Sequence, residues 1–217
     1  MAFSTYTELQ AAVASWLNRT DLTSQVPDFI ALAEAQMNRR LRVRQMVTRS
    51  EATFSSGVEF IADPGADMLE PISLTLEISE SDIRLLERLS QERLLSEKVD
   101  VSSTGEPEFY AHVGTALQLL PIPDQDYTGE LTYYAKIPAL ASNSSNWVLA
   151  SWPDAYLYGA LLQGSPFLID DDRVGTWGAL FQAALDDIQK SNRVPGGRLR
   201  VDPMLQGQRM FGITRGW

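Results

Sequence analysis

The chain has 217 residues, a formal net charge of −10 and an apolar fraction of 44%, enough to bury a core in one domain or two small ones. It contains no cysteine and one histidine, His112, which excludes disulfides, thiolate nucleophiles and Cys-containing zinc sites. No run approaches the roughly 20 apolar residues of a membrane span, and the first residues lack the basic and apolar regions of a secretory signal. We therefore expect a soluble protein made in the cytoplasm, with no membrane partner.

The charge is unevenly distributed along the chain. Residues 51–140 carry five basic and 17 acidic side chains, whereas residues 193–217 carry five arginines and a single acid, Asp202. An acidic body argues against general nucleic-acid binding. The basic tail indicates an acidic partner, either a like subunit or another protein.

Two amphipathic helices are predicted at the N-terminus. Thr5 and Glu8 have the spacing of a capping box for the first helix. Its apolar face consists of Leu9, Val13, Trp16 and Leu17. In the second helix Ser24 is the predicted cap, and Pro27 is tolerated in the first turn. Its predicted buried stripe consists of Phe29, Ile30, Leu32, Ala33, Met37 and Leu41.

Four arginines mark the end of the second helix: Arg39, Arg40, Arg42 and Arg44. The helix dipole favours cations at this end, and helical spacing would spread the four side chains around about half of the circumference. Two interpretations stay open. The cluster either pairs with acidic side chains of the following segment, or it faces a neighbouring subunit or passing DNA.

The apolar period changes to that of β-strands in the middle of the chain. Strands are predicted over 46–54, 58–61, 72–78 and 131–135, the last after a polar loop at 123–129. In the third of these strands the inward side chains are Ile72, Leu74, Leu76 and Ile78. Residues 109–113 and 116–120 flank Gly114 and Thr115 as a hairpin. Residues 82–98 fit a strand followed by a short helix.

Two further helices are predicted near the C-terminus. Residues 155–162 read as a buried helix, and a second helix ends near Asn192, before Pro195–Gly197. The apolar face of that second helix consists of Trp177, Leu180, Phe181, Ala184, Leu185 and Ile188. We therefore expect an α+β fold. The helical pairs at 1–45 and 147–194 form one bundle, residues 46–140 form an inserted antiparallel β domain, and residues 195–217 form an extended C-terminal arm.

The arm has two distinct parts. Arg198, Leu199, Arg200 and Val201 alternate like an edge strand and suit β-augmentation. The apolar tip that follows contains Met204, Leu205, Met210, Phe211, Ile213 and Trp217. A disordered terminus would be more polar. We predict a docking element, with the alternative that the tail folds back on its own core.

Candidate catalytic and metal-binding patterns are weak. His112 lies in a predicted strand without the Gly-x-Ser-x-Gly turn of a serine hydrolase. Asp124 and Asp126, and the run Asp170–Asp172, lack the spacing of an EF-hand loop. The aromatic side chains are expected in the core: Trp147, Trp152, Tyr156, Tyr158, Phe167 and Trp177. We expect no catalytic residue, metal or cofactor.

The order of these segments resembles that of the head-to-tail adaptor (connector) proteins of short-tailed phages and related viruses. No single segment is as specific as a metal signature, and it is their succession along residues 5–190 that carries the resemblance. The segments are Tyr6–Leu9, Val26–Glu34, Met37–Leu41, Gly105–Ala111, Leu117–Pro121, Leu131–Leu140, Asn146–Trp147 and Pro153–Leu162.

The resemblance implies a structural virion protein at the neck, assembled in the host cytoplasm. It implies a ring of twelve copies attached below the portal protein, which extends the channel for double-stranded DNA and receives tail or nozzle proteins. It also implies that the C-terminal arm docks on the portal and that there are no catalytic residues. Two alternatives are another neck component, such as a stopper or tail-completion protein, and a tail-associated glycan-binding or hydrolytic module.

Overall fold

The computed structural model describes residues 3–19, 21–63, 65–79, 81–100, 104–167 and 173–192. The helices are α1 (Tyr6–Leu17), α2 (Val26–Arg40), α3 (Gln91–Asp100), α4 (Trp147–Ser151), α5 (Pro153–Gly164) and α6 (Arg173–Ser191). The strands are β1 (Val47–Phe54), β2 (Phe60–Ala62), β3 (Met68–Ser79), β4 (Asp82–Leu85), β5 (Glu87–Arg88), β6 (Thr104–Gly105), β7 (Phe109–Val113), β8 (Ala116–Leu120), β9 (Ile122–Pro123) and β10 (Tyr127–Ala135).

The helices near the two ends of the chain share one hydrophobic core. Residues of α1 and α2 pack with residues of α4, α5 and α6 in a single buried cluster. The main helix contacts join α5 to α1, α2 and α6. Gly159 permits the closest approach, because a Cβ there would lie 2.9 Å from the ring of Phe181 and 3.0 Å from Ala33. Helix α5 is thus the centre of the bundle.

The predicted N-terminal cap is confirmed for α1 but not for α2. The capping box of Thr5 and Glu8 is present. For α2 the predicted cap at Ser24 is wrong. The helix is capped at Gln25 without a side-chain bond, and the Ser24 hydroxyl donates to the Gln25 side chain instead.

Four apolar side chains of the helical part of the chain that were predicted as buried are exposed. One is Phe167, at 47% exposure. The other three lie at the margins of otherwise buried stripes: Trp16 at 47%, Leu32 at 51% and Leu180 at 39% exposure. Their helices bury a narrower face than the predicted one, centred on residues such as Val13, Ala33 and Phe181. The apolar pattern therefore predicted a wider buried face for each of these helices than the structure has.

The β region contains two four-stranded sheets, in the orders β1-β10-β3-β4 and β2-β8-β7-β5, and a small pair, β6-β9. Pairing is antiparallel except for β5 with β7 and β6 with β9. The predicted hairpin of β7 and β8 is confirmed, with Gly114 at φ +64° in its turn. Strand β10 begins at Tyr127, so the predicted loop at 123–129 is too long.

A register shift changes which side chains of β3 point inward. Thr132 pairs with Ser73 and Tyr133 with Pro71, so Ile72 is the extra residue of a bulge. Leu74 and Leu76 are buried as predicted, whereas Ile72 is 41% exposed. The strict alternation expected for this strand therefore fails at the bulge.

The predicted fold class is confirmed. The protein is mixed α+β, with helices towards both ends of the chain and a central β region. The two sheets enclose their own core, which is distinct from that of the helices. Helix α3 packs on β7 through a third cluster formed by Leu94, Ala111 and Leu120. The arm at 195–217 and Asp170–Asp172 lie outside the described residues.

Candidate functional site

The four arginines at the end of α2 do not share a helix. Arg39 and Arg40 occupy its last turn, but Leu41 is already extended, at φ −93° and ψ 136°. Arg42 lies in an extended connection, and Arg44 opens a short 3-10 turn. The predicted spread around one helix is therefore wrong for Arg42 and Arg44. The physical reason is that Leu41 and Val43 are fully buried, and this alternation draws the chain out of helical geometry.

Arg42 is engaged within the molecule. Its Nη1 donates to the carbonyl oxygens of Asn38 at 2.8 Å and of Leu41 at 2.6 Å. Its Nε lies 3.5 Å from the carboxylate of Glu70 in β3, and its guanidinium lies 6.0 Å from the centre of the Tyr134 ring. A cation at unpaired terminal carbonyls complements the helix dipole. Arg42 therefore joins the end of α2 to the β region.

Arg40, at the end of α2, bonds to α6, and Arg44, in the following 3-10 turn, bonds to the residue that follows α6. The Arg40 guanidinium donates to Gln182 Oε1 at 2.6 Å, and the Gln189 amide donates to the Arg40 carbonyl at 3.2 Å. The backbone N–H of Arg44 donates to Asn192 Oδ1 at 2.8 Å. Asn192 is the last residue that the structure describes, and its partner Arg44 lies three residues before the start of β1.

Two side chains of the cluster remain available for other contacts. Among the described residues, the guanidinium groups of Arg39 and Arg44 have neither a hydrogen bond nor an ion pair, and both residues are exposed. Arg39 lies at a shallow cavity of about 490 Å³ that is also lined by Glu34, Asn38 and Lys136. These two arginines are the part of the cluster that can meet an anionic surface.

A buried polar network lies behind this cavity. Glu34 is 8% exposed, and its Oε1 accepts from the Leu140 N–H at 2.9 Å and from the Tyr156 hydroxyl at 3.0 Å. The Asn146 amide donates to the Tyr156 oxygen at 2.6 Å and to the Pro138 carbonyl at 2.8 Å. The Glu34 Oε1, the Tyr156 hydroxyl and the Asn146 amide nitrogen each have a partner, as burial requires.

Burial changes the acidity of two groups in the network. Desolvation raises the pKa of Glu34, and the hydrogen bonds from Leu140 and Tyr156 counteract it only in part. Desolvation, reinforced by the nearby Glu34 charge, raises the pKa of Tyr156. Sequence reasoning missed this network. The available signal was the spacing of Glu34 within the apolar stripe of α2, three residues before Met37 and four after Ile30.

The connection from β10 to the bundle is held by the same helix. The Ile137 N–H donates to Asn38 Oδ1 at 2.9 Å, one helical turn beyond the Glu34 contact with Leu140. Two polar side chains of α2 therefore bind the backbone of the segment that leaves the β region. The network is a positioning element rather than a reaction centre.

The other residues considered as chemical candidates have local structural roles. His112 lies half-buried in β7, and its Nε2 has no hydrogen-bond partner in the described part of the chain. Asp124 accepts from the Tyr127 hydroxyl at 2.7 Å, and Asp126 accepts from the Ser56 N–H at 2.8 Å. Both aspartates thus organise the loop before β10. Across the described ranges, no group of three or more His, Asp or Glu side chains is placed to hold a metal ion.

The exposed face of the first sheet is acidic. Glu51 of β1 lies directly opposite Glu130 of β10, and Glu77 of β3 pairs with Thr128 two residues away. Arg49 offers one counter-charge, 3.6 Å from Glu130. This face repels phosphates and attracts cationic segments. None of the described helices is long and apolar enough to cross a membrane.

A family model for SU10 adaptor proteins matches residues 4–202. The chain belongs to the SU10 adaptor protein family. The match covers both helical ends and the β region, and it continues through Arg198–Val201 into the arm. None of the curated proteins compared with the chain matches it. As a member of this family, the chain is a structural adaptor protein of a phage and hence a virion component, and the family is not a known enzyme family.

Proposed function

We propose that this SU10 adaptor protein forms a dodecameric ring at the neck of the virion. The ring sits below the portal protein, extends the channel for double-stranded DNA and provides the attachment site for tail or nozzle proteins. Assembly takes place in the host cytoplasm. The observation that carries this proposal is the family match across residues 4–202, and ring symmetry allows one modest interface to be repeated until it closes.

The charge of the described surface supports a channel role. An acidic sheet face with Glu51, Glu77 and Glu130 repels the phosphate backbone, so that DNA can pass without tight contacts. A channel that held DNA through many arginine–phosphate contacts would retard ejection. Transient passage without specific binding is therefore the expected relation to DNA.

The C-terminal arm is proposed as the portal-docking element. Its first part, Arg198, Leu199, Arg200 and Val201, follows the break at Pro195–Gly197. Its tip supplies the apolar contacts: Met204, Leu205, Met210, Phe211, Ile213 and Trp217. Support comes from composition and from the place of Asn192, the last described residue, which is bonded to Arg44 at the junction of bundle and β region. A few central side chains, most often Trp, Tyr or Arg, contribute most of the affinity of a protein interface, and the tip includes Trp217.

The basic cluster is proposed as an inter-subunit contact. Arg39 and Arg44 would face acidic side chains of a neighbouring copy, whereas Arg42 acts inside the subunit through Asn38 and Glu70. Arg40 has a partner in Gln182 and contributes less to such a contact. The β region, with 17 acidic and five basic side chains at 51–140, offers the complementary charge.

A truncation tests the role of the arm. A chain ending at Asn192 keeps all the described helices and strands, so it should fold and should lose binding to purified portal in a pull-down. A full-length variant with Met210→Ser and Phe211→Ser should lose binding in the same way. The matched control is Leu95→Ser with Val99→Ser, which removes two exposed apolar side chains of α3. Unchanged portal binding by the truncated chain would refute the docking role.

Stoichiometry tests the ring. The mass of the complex with purified portal should correspond to twelve copies of this chain for each portal ring. One copy, or a few copies, would instead favour a stopper or tail-completion protein. Electron microscopy of virions should show ring density directly below the portal.

A further inference from the structure

The β region is closed on one side and open on the other. The chain passes from β4 of the first sheet to β5 of the second through the buried Leu86, which joins the two sheets at that side. On the opposite side β1 and β2 are the outer strands of their sheets. A cavity of about 390 Å³ lies between them, lined by residues of both strands and of the turn that connects them. We call this cavity the β1–β2 seam.

The seam presents an unprotected strand edge. All eight residues of β1 pair with β10 on one side. The Val47 N–H donates to the Arg44 carbonyl oxygen, but within the described residues none from Thr48 to Thr53 has a backbone hydrogen-bond partner on the other side. Val58 and Phe60 at the seam are 41% and 47% exposed. Natural proteins cover or charge a free edge of this length, because it otherwise pairs with another strand.

A local charge imbalance lies at the same edge. Glu51 of β1 is directly opposite Glu130 of β10, and like charges in that position are destabilising. Arg49 pairs with Glu130 at 3.6 Å, whereas the Glu51 carboxylate has no ion pair with any described residue. A strand added to β1 with cationic side chains on this face would remove the imbalance.

The arm begins within reach of this edge. Asn192 bonds to the backbone of Arg44 and also lies 3.5 Å from the Arg42 carbonyl, and β1 starts at Val47. Five residues, 193–197, span at most about 17 Å when extended, which is long enough for Arg198 to reach the middle of β1. The family match includes 198–201 and ends at residue 202, before the apolar tip. Residues 198–201 and the apolar tip can therefore have different binding sites.

We propose that Arg198–Val201 of the same chain adds to the free edge of β1 as a further, parallel strand. Leu199 and Val201 then cover the seam beside Phe60, and Arg198 and Arg200 lie on the acidic face beside Glu51. Successive side chains of a strand point to opposite faces, so the two apolar side chains lie on one face and the two arginines on the other. The added strand covers the open side of the β region. Because it runs parallel to β1, the tip that follows it leaves the β region at the Phe54 end of β1. The added strand forms whichever protein the tip binds.

The absence of cysteine from the chain permits a direct test by crosslinking. Ser50→Cys, in the seam, is combined with Leu199→Cys or Val201→Cys in the full-length protein. Oxidation should produce an intramolecular disulfide, seen as a faster-migrating monomer on a non-reducing gel and as a linked peptide by mass spectrometry. The matched control replaces Ser50→Cys by Ile83→Cys, on the strand at the far edge of the same sheet, which is 63% exposed. Crosslinking no greater than in this control overturns the proposal.

Mixing the two single-cysteine variants distinguishes a crosslink within one chain from a crosslink between two copies. If the Ser50→Cys and Leu199→Cys proteins, combined before oxidation, yield crosslinked dimers while the double variant yields little crosslinked monomer, the occupant comes from a second copy and the proposal is wrong. Failure to form mixed dimers, together with efficient monomer crosslinking, supports the assignment within one chain.

Hydrogen exchange gives an independent readout. The amides of β1 should exchange about tenfold more slowly in chains ending at residue 202 or 217 than in a chain ending at residue 192, because the added strand protects the outer edge. The variant Arg198→Glu with Arg200→Glu should lose this protection, and Glu51→Arg should restore it. Equal exchange in all three chain lengths overturns the proposal. A chain ending at residue 202 should keep the protection of β1 and lose portal binding, which separates this inference from the docking role of the tip.

Discussion

Replacing Glu34 by alanine probes the network that holds the β region to the bundle. The substitution leaves the Leu140 N–H and the Tyr156 hydroxyl, at 2.9 and 3.0 Å from the carboxylate, without their acceptor. A buried group left unsatisfied costs about 1–3 kcal/mol. Two such losses, reduced by the removal of a partly desolvated carboxylate, are expected to lower the free energy of unfolding by about 3 kcal/mol. For a chain of this size that corresponds to a fall in Tm of roughly 6–12 °C.

The assay is urea unfolding of Glu34→Ala, Glu34→Gln and the parent protein at neutral pH. Glutamine retains an acceptor oxygen and carries no charge, so Glu34→Gln should stay within about 1 kcal/mol of the parent. A double-mutant cycle with Tyr156→Phe should show coupling of about 1 kcal/mol or more. Equal damage by alanine and glutamine, or no loss with alanine, would contradict the proposed role of these hydrogen bonds.

The raised pKa of Glu34 predicts the sign of a pH effect. Between its ordinary and its raised pKa the folded state holds the proton more firmly than the unfolded state, so this group's contribution to stability falls as pH rises through that window. Other carboxylates contribute slopes of their own, so the quantity to follow is the difference in unfolding free energy between the parent and Glu34→Gln. As pH rises, the parent should lose stability relative to Glu34→Gln. A difference in unfolding free energy that does not change with pH would contradict desolvation as the cause of the raised pKa.

Two further substitutions test the packing of the β region. Gly129→Ala should cost about 1–3 kcal/mol or more, because a Cβ there would overlap the carbonyl oxygen of Thr75. Its control, Gly175→Ala in α6, meets nothing within 4 Å and should be neutral or stabilise by up to about 1 kcal/mol. Leu94→Ala should cost about 2–5 kcal/mol in chemical denaturation, because this fully buried side chain anchors α3 on the second sheet, whereas Leu95→Ala, at a half-exposed position, should change stability by less than about 1 kcal/mol. Equal effects within either pair would argue against the packing described.

Local signals in the sequence predicted much of the fold. The capping box of Thr5, the two-residue hairpin turn at Gly114 and the apolar period of α5 and α6 each depend on neighbours within a few positions. Such features are recognisable because the backbone geometry they require is local. The order of segments also predicted the adaptor family, which the family match confirms.

Long-range pairing was not predictable in the same way. The bulge at Ile72 depends on how β3 meets β10, and the end of α2 depends on burial of Leu41 and Val43 by distant parts of the chain. The Glu34 network joins residues more than 100 positions apart. No local period reports such contacts, because the partner's position in space is decided by the packing of the whole bundle.

The sequence by itself determined the class of protein: an acidic body with a basic, apolar-tipped arm, helices towards both ends and a β region between them. These properties follow from composition and from periodicity, which are independent of tertiary detail. Only the tertiary structure decided that Arg42 is an internal contact while Arg39 and Arg44 stay available, and that β1 has a free edge and Asn192 is bonded to Arg44, three residues before β1. Both depend on which residues meet across the fold, and free energies of packing and hydrogen bonding between distant segments set those meetings.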